Sequence, residues 1–326
     1  MGRVNVLATS CLLALCALSA AKPANAACTA SVTALNFGDI NPAVPGVRDV
    51  TATVSYTCSS LVSILSRLNV CIEIGLGPSD SSVTDRRLVH TTMPAEGLGY
   101  NVYSDPARTR IFGNVYGSAN PPVIVQYGPY ALALVVTERG TQTVYGRIPV
   151  NSSITQRNVG QYASALTVTV RMDVLNAADL LPCVDILPAV VSMPVNAQLL
   201  SACQITATPL DFGRQPSNFS SAIQSTSQIN STCTKGTAYQ IGLNNGLYAS
   251  GNQRRMRSAN GQYINYELYK NAERTQRWGM ALNTPETVTG QATGSSQSTT
   301  VYGQVIPQSG LRAADYKDTV TVTITY

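Results

Sequence analysis

The 326-residue chain contains the same unit twice. The stretch "CTASVTALNFGD" from Cys28 returns as "CQITATPLDFGR" from Cys203, and Cys58 returns as Cys233, both 175 residues later. The register then slips without breaking. Ile74-Gly75-Leu76 matches Ile241-Gly242-Leu243, Arg86-Arg87-Leu88 matches Arg254-Arg255-Met256, and Tyr100 to Gly113 matches Tyr266 to Gly279. Thr143 to Gly146 matches Thr300 to Gly303, and Tyr162 to Val170 matches Tyr316 to Ile324. A repeat this long makes each copy a domain with its own core, so the two copies must share one fold.

That fold is all-β. Both copies run in short apolar–polar alternations punctuated by Gly, Pro, Asn and Ser, with no helical period. Charged residues are only 12% of the chain, the usage of an extracellular β protein. The expected architecture is two immunoglobulin-like β-sandwich domains in tandem, the C-terminal one lacking its last strand. Strands A to F of copy one are expected near 31–37, 50–58, 71–76, 98–103, 143–148 and 162–172. A seventh strand comes from "VSMPVNAQL" at 191–199, where Val191, Met193, Val195, Ala197 and Leu199 share one face and Pro194 is admissible if the strand lies at an edge. Copy two is expected to go without one, since its sixth strand, "DTVTVTITY", ends at Tyr326. An apolar groove lined by Leu210, Phe212, Val320, Val322, Ile324 and Tyr326 should result.

Export sets the chemistry. Arg3 precedes an apolar run to Ala21, and Ala24-Asn25-Ala26 is a small-x-small cleavage site, so residues 1–26 read as a signal peptide. The domains then span 27–200 and 201–326. Six of the eight cysteines remain, which reads as three disulfides: Cys28–Cys58 and Cys203–Cys233 would tie the start of the first expected strand to the end of the second in each copy, and Cys71 and Cys183 should meet at one pole, where a bridge between them would stiffen the loops. Clustered metal ligands are absent, and neither a metal nor a cofactor is expected. Losing Arg3 and Lys22 leaves 20 basic against 17 acidic residues with no basic run, which gives no footprint for nucleic acid. The single histidine, His90, is expected in a surface connection, and no nucleophile–base pair suggests an enzyme. The recurring arginines Arg86, Arg87, Arg254, Arg255 and Arg257 read as a solvated loop face, or more sharply as an interdomain or intersubunit contact.

The segments "INYELYKNAERTQRWG", "TVYGQVIP" and "ADYKDTVTVTITY" resemble the spore coat protein U domain family, found in subunits of archaic chaperone–usher pili. The likeness is strong over 203–326 and weaker over 28–172, where Phe112 stands for the family's tryptophan and Ala163-Ser164 for Lys-Asp. The resemblance implies a pilin completed by a strand from a periplasmic chaperone, then by the N-terminal donor strand of the next pilin subunit after an outer-membrane usher joins them. Cleavage after Ala26 leaves one residue before Cys28, so the chain is expected to accept a strand without donating one. An extra, self-completed domain then places it at the fibre tip, as an adhesin.

Differences between the copies locate the adhesive surface. The offsets give copy one eight extra residues in its BC loop and nine in its DE loop, both at the pole that also holds the FG loop. Leu61, Val62, Ile64 and Leu65 lie in the first. Val123, Ile124, Val125, Tyr127 and Tyr130 lie in the second, read as a hairpin turning near Tyr127-Gly128-Pro129, and Leu180 and Leu181 lie in the third. Three apolar loops at one pole exceed what a monomer usually exposes, so the expected partners are apolar surfaces. A lectin using Tyr100, Tyr116, Tyr127 and Tyr130 is the rival reading, and a secreted spore-coat or matrix protein the third.

Overall fold

The computed structural model describes residues 27–175 and 188–326; the expected signal peptide and Leu180, Leu181 and Cys183 lie outside the described residues. In the first domain the strands are β1 (Ala27–Val32), β2 (Leu35–Ile40), β3 (Gly46–Val62), β4 (Arg67–Ile74), β5 (Arg86–His90), β6 (Gly97–Tyr103), β7 (Val123–Tyr127), β8 (Leu134–Val150), β9 (Gly160–Leu175) and β10 (Ala189–Leu199). They form one curled sheet in the order β1-β3-β8-β6-β5-β9-β10-β2, with β4 between β9 and β7. The expected strand A breaks at Thr33-Ala34, because its first half pairs with β3 and its second half crosses to β10.

Residues 191–199 lie in β10, which runs antiparallel to β9 and parallel to β2. Met193, Val195, Ala197 and Leu199 alternate inward and are buried. Pro194 is exposed and sits one residue before the β2 pairing begins, so its missing N–H costs no bond on that side although the strand is not an edge.

The second domain repeats this with β11 (Cys203–Ala207), β12 (Ile223–Cys233), β13 (Ala238–Leu243), β14 (Arg254–Ser258), β15 (Tyr263–Tyr269), β16 (Val288–Gln291), β17 (Gln297–Val305), β18 (Tyr316–Lys317) and β19 (Val322–Thr325). Two sheets result, β11-β12-β17-β15-β14-β18 and β16-β13-β19. Cys28–Cys58 and Cys203–Cys233 are both bridged, across paired residues of β1 and β3 in the first domain and of β11 and β12 in the second. Cys71 is also disulfide-bonded.

The recurring arginines divide into two kinds, and the solvated-face reading fails for the first of each group. Arg86 and Arg254 have no exposed surface at all. Arg86 donates to the carbonyls of Ile74 (3.0 Å), Phe112 (2.8 Å) and Val83 (2.8 Å). Arg254 donates to those of Leu243 (2.9 Å), Asn244 (2.7 Å) and Trp278 (2.7 Å) and also bonds Glu267. The Arg86 guanidinium thus ties β4 to the segment after β6, and that of Arg254 ties β13 to the segment after β15, each using its fork of donors to satisfy carbonyls no ladder reaches. Burial lowers the Arg86 pKa to about 10. Burial also lowers that of Arg254, against the pull of Glu267.

These bonds correct the alignment of the repeat. Ile74 accepts from Arg86 where Leu243 accepts from Arg254, and Gly75 N–H donates to Thr167 where Asn244 N–H donates to Thr321. Ile74 therefore corresponds to Leu243, two residues past the sequence match with Ile241. The first copy's BC excess is six residues, not eight.

The domains meet end to end. The second domain's turns at 234–237 and 292–296 seat on the first domain's lower pole, where Val159 N–H donates to Lys235 (2.9 Å) and Lys235 N–H to Thr155 (2.8 Å). Gln156 Nε2 donates to the Gly294 carbonyl (2.9 Å), and Lys235 Nζ pairs with Glu96 (2.6 Å). Gly294 has φ +89° and lies so close to Thr155 that a side chain there would collide with the first domain. His90 belongs to this pole as well, but it is buried rather than a surface loop residue. Its Nδ1 accepts from Thr92 N–H (3.2 Å), which leaves Nε2 to donate to the Val159 carbonyl (3.1 Å).

Two outcomes test this framework. Arg254→Ala leaves three carbonyls and Glu267 short of a partner and should cost about 3 kcal/mol or more, read by denaturant unfolding followed through the single tryptophan, Trp278. The Glu96 carboxyl is held below its ordinary value of 4.5 by the hydrogen bond from Lys235. The stability it contributes is therefore full above 4.5 and lost as pH falls through the lower folded value, and Lys235→Ala should flatten that part of the melting-temperature profile.

Candidate functional site

The two domains place the same residues around the same trough, and only one trough is filled. In the first domain Leu35 and Phe37 on β2 pack over Gly146, and in the second Leu210 and Phe212 pack over Gly303 at the corresponding place. The far wall is β9 in the first domain and Tyr316 to Thr325 in the second. Tyr162 and Tyr316 fix the register between them, since each donates its hydroxyl to the carbonyl four residues earlier, Asn158 at 2.6 Å and Arg312 at 3.1 Å.

Burial separates the copies. Leu35, Leu166, Val168 and Val170 are fully covered by or alongside β10, whereas Leu210, Val320, Val322 and Ile324 at the corresponding positions are only half-buried. Between the walls lies an open groove of about 1350 Å³, floored by Ile229, Leu243, Met256, Ile264, Tyr266, Leu268, Val301 and Val305. Sequence reading missed this floor, although its members are the inward residues of β12 to β17. Among the expected groove residues, Leu210, Phe212, Val320 and Val322 line it. Ile324 packs on the core beside it and Tyr326 is exposed.

The backbone tells the same story. Residues 208–215 form no strand where β2 is one, and 318–321 interrupt the wall where β9 runs unbroken. Among the described residues, no strand lies against either rim. A ladder needs a neighbour to hold it, so two rims that are strands in the filled copy relax in the open one. One polar group anchors the wall: Asp318 accepts from the Tyr266 hydroxyl (2.7 Å) and from Leu247 N–H (2.8 Å). Burial, with Asp318 as acceptor, pushes the Tyr266 phenol upward.

The outer pole of the first domain is the second candidate surface. Here the extra residues lengthen strands more than loops: four ladder pairs, from Ser59–Thr137 to Val62–Leu134, carry β3 and β8 past Cys58. That extension reaches about 13 Å. The turns at its end are locked, with Leu65 N–H donating to Tyr130 (2.8 Å) and Tyr130 N–H to Ser66 (3.1 Å). The expected DE hairpin does not form, because β7 pairs with β4 and β8 with β3, and the chain crosses between them at 128–133.

Not every expected finger points outward. Leu61 (61%), Ile64 (62%) and Leu65 (76%) are well exposed, joined by Leu132 (66%), Leu134 and Val135, which fall in the second arm of the expected hairpin but were not among the residues expected to bind. Ile124 faces out from β7. Val62 is only 1% exposed and sits in the core, since alternation turns it inward from Leu61. Val123, Val125, Tyr127 and Tyr130 are half-buried against the core. The Tyr127 hydroxyl is 2.9 Å from that of Tyr56, and Tyr130 donates to Glu138 (2.8 Å). Tyr100 is buried, and Tyr116 is exposed in the loop that follows Gly113 rather than at this pole, so the four tyrosines of the lectin reading do not converge. Leu180, Leu181 and Cys183 lie outside the described residues.

Fold and groove together define a tandem β-sandwich protein with one closed and one open copy of the same domain. The Spore Coat Protein U domain matches residues 9–169 and 189–323, and the chain belongs to that family. No curated protein matches the sequence. Among solved structures, the chain is similar to the chaperone–tip adhesion subunit pre-assembly complex of archaic chaperone–usher Csu pili from Acinetobacter baumannii, at 19% identity and TM-score 0.46, covering 91% of this chain and 100% of that one. It is also similar to the CupB6 tip adhesin of Pseudomonas aeruginosa, at 10% identity and TM-score 0.38, covering 92% and 95%. The CfaE adhesive subunit of enterotoxigenic Escherichia coli matches at 7% identity and TM-score 0.39, covering 90% and 92%.

Proposed function

We propose that the chain is an exported tip subunit of a chaperone–usher pilus. Residues 201–326 act as a pilin domain whose groove takes a strand first from a periplasmic chaperone and then from the next pilin subunit at an outer-membrane usher. Residues 27–200 act as the adhesive domain at the cell surface. The observation that carries this reading is the contrast between one trough filled by β10 and its twin left open. Five apolar side chains entering such a groove contribute on the order of 7–15 kcal/mol before ordering costs, which suits a structural partner.

Two features support the terminal position. The pole that in the second domain seats on its neighbour through Lys235 and Gly294 is, in the first domain, carried outward and made apolar. A further domain has no matching seat there. The exposed set Leu61, Ile64, Leu65, Leu132, Leu134 and Val135 binds apolar surfaces by releasing water, with little stereospecificity.

Coexpression with an archaic chaperone and usher separates the two halves of the proposal. Val320→Asp should remove the subunit from fibres, while Ile64→Asp with Leu132→Asp should leave fibres unchanged and reduce attachment to clean polystyrene about tenfold or more. Val125 is unsuitable for this test, because it packs inward and a charge there would probe folding. Unchanged attachment by the double variant would overturn the apolar-tip reading, and binding blocked by one free sugar would favour a lectin.

A further inference from the structure

The first domain contains a template for what the second domain's groove accepts, and the template is specific. Through Tyr162/Tyr316 and Thr167/Thr321 the two walls align residue for residue. In β10, Val191, Met193, Val195, Ala197 and Leu199 face Val168, Leu166, Ser164, Tyr162 and Gly160. The same seats in the second domain face Val322, Val320, Asp318, Tyr316 and Ala314.

We propose that the open groove selects a strand with the side-chain pattern of β10 itself, large opposite Val320 and small opposite Tyr316, entering antiparallel to 314–324 and parallel to 208–214. This rests on the strand-accepting reading above and names the occupant's chemistry. Where the first domain has Leu166 beside Met193, the second has Val320, one methylene shorter, so this seat takes a side chain at least as large as methionine. Where Ala197 lies beside Tyr162, the second domain keeps a tyrosine with the same hydroxyl anchor, so this seat takes a small side chain. The last seat changes its wall: Ile40 is buried against Leu199 in the first domain, while Gln215 in its place is exposed and Phe219 and Leu311 line that end instead.

The outward face favours an uncharged strand. The positions of Val190, Ser192 and Pro194 run beside Thr323, Thr321 and Thr319. Those of Asn196 and Gln198 run beside Lys317 and Asp315, with Asp211 and Arg214 on the opposite rim. Each of these two seats meets one cation and one anion, so a charge on the strand gains from one and loses to the other.

A synthetic peptide of residues 188–200 tests the inference on the full mature chain, with Trp278 reporting denaturant unfolding of the second domain. The expected result is a midpoint that rises with peptide concentration. Met193→Ala in the peptide should weaken binding roughly 30-fold or more, and Ala197→Leu about tenfold or more. A peptide with valine at all five inward positions is the comparison. If it binds as well as the 188–200 peptide, or if Ala197→Leu binds undiminished, the size pattern is overturned while strand acceptance stands. If neither peptide shifts the midpoint, strand acceptance is overturned as well.

Discussion

An unpaired strand rim beside an apolar trough is costly twice over, since it leaves backbone donors and acceptors without partners and apolar side chains in water. The molecule meets this cost in one domain and carries it in the other. In the first, β10 pairs with β9 on one side and β2 on the other and buries Met193, Val195, Ala197 and Leu199. In the second, 208–215 form no strand, 318–321 interrupt the other rim between β18 and β19, and Val320 and Val322 remain half-exposed. Because both domains carry the same repeated sequence pattern, the filled copy is an internal control for the open one.

The rest of the architecture follows from how each pole of the unit is used. Short turns at 234–237 and 292–296 let the second domain seat closely on the first, with Gly294 admitting the approach and Lys235 supplying both backbone and ion-pair contacts. Lengthened β3 and β8 make the corresponding pole of the first domain a projecting apolar edge. The buried Arg86 and Arg254 keep the core strands in register in both copies while these ends diverge.

Much of this was legible in the sequence. The repeat, the strand alternation and the segment 191–199 were visible because period two and turn residues are local signals. What stayed hidden depended on tertiary context. Arg86 and Arg254 look like loop charges until three carbonyls converge on each, and β5 was missed because its arginines disguise a strand. The Ile-Gly-Leu match misled by two residues, since identical letters on a period-two strand can align in either of two in-phase registers. Val62 and Val125 were read as fingers because composition reports an apolar segment but not which of its residues turn inward.

The most direct measurement of the central claim is backbone amide hydrogen exchange on the mature chain, comparing the two walls within one molecule. The expected result is strong protection of the β10-facing amides of Leu166, Val168 and Val170 and fast exchange of the corresponding amides of Val320, Val322 and Ile324, with protection appearing in the latter once a complementing strand is bound. Equal protection of both walls in the chain alone would contradict an open groove.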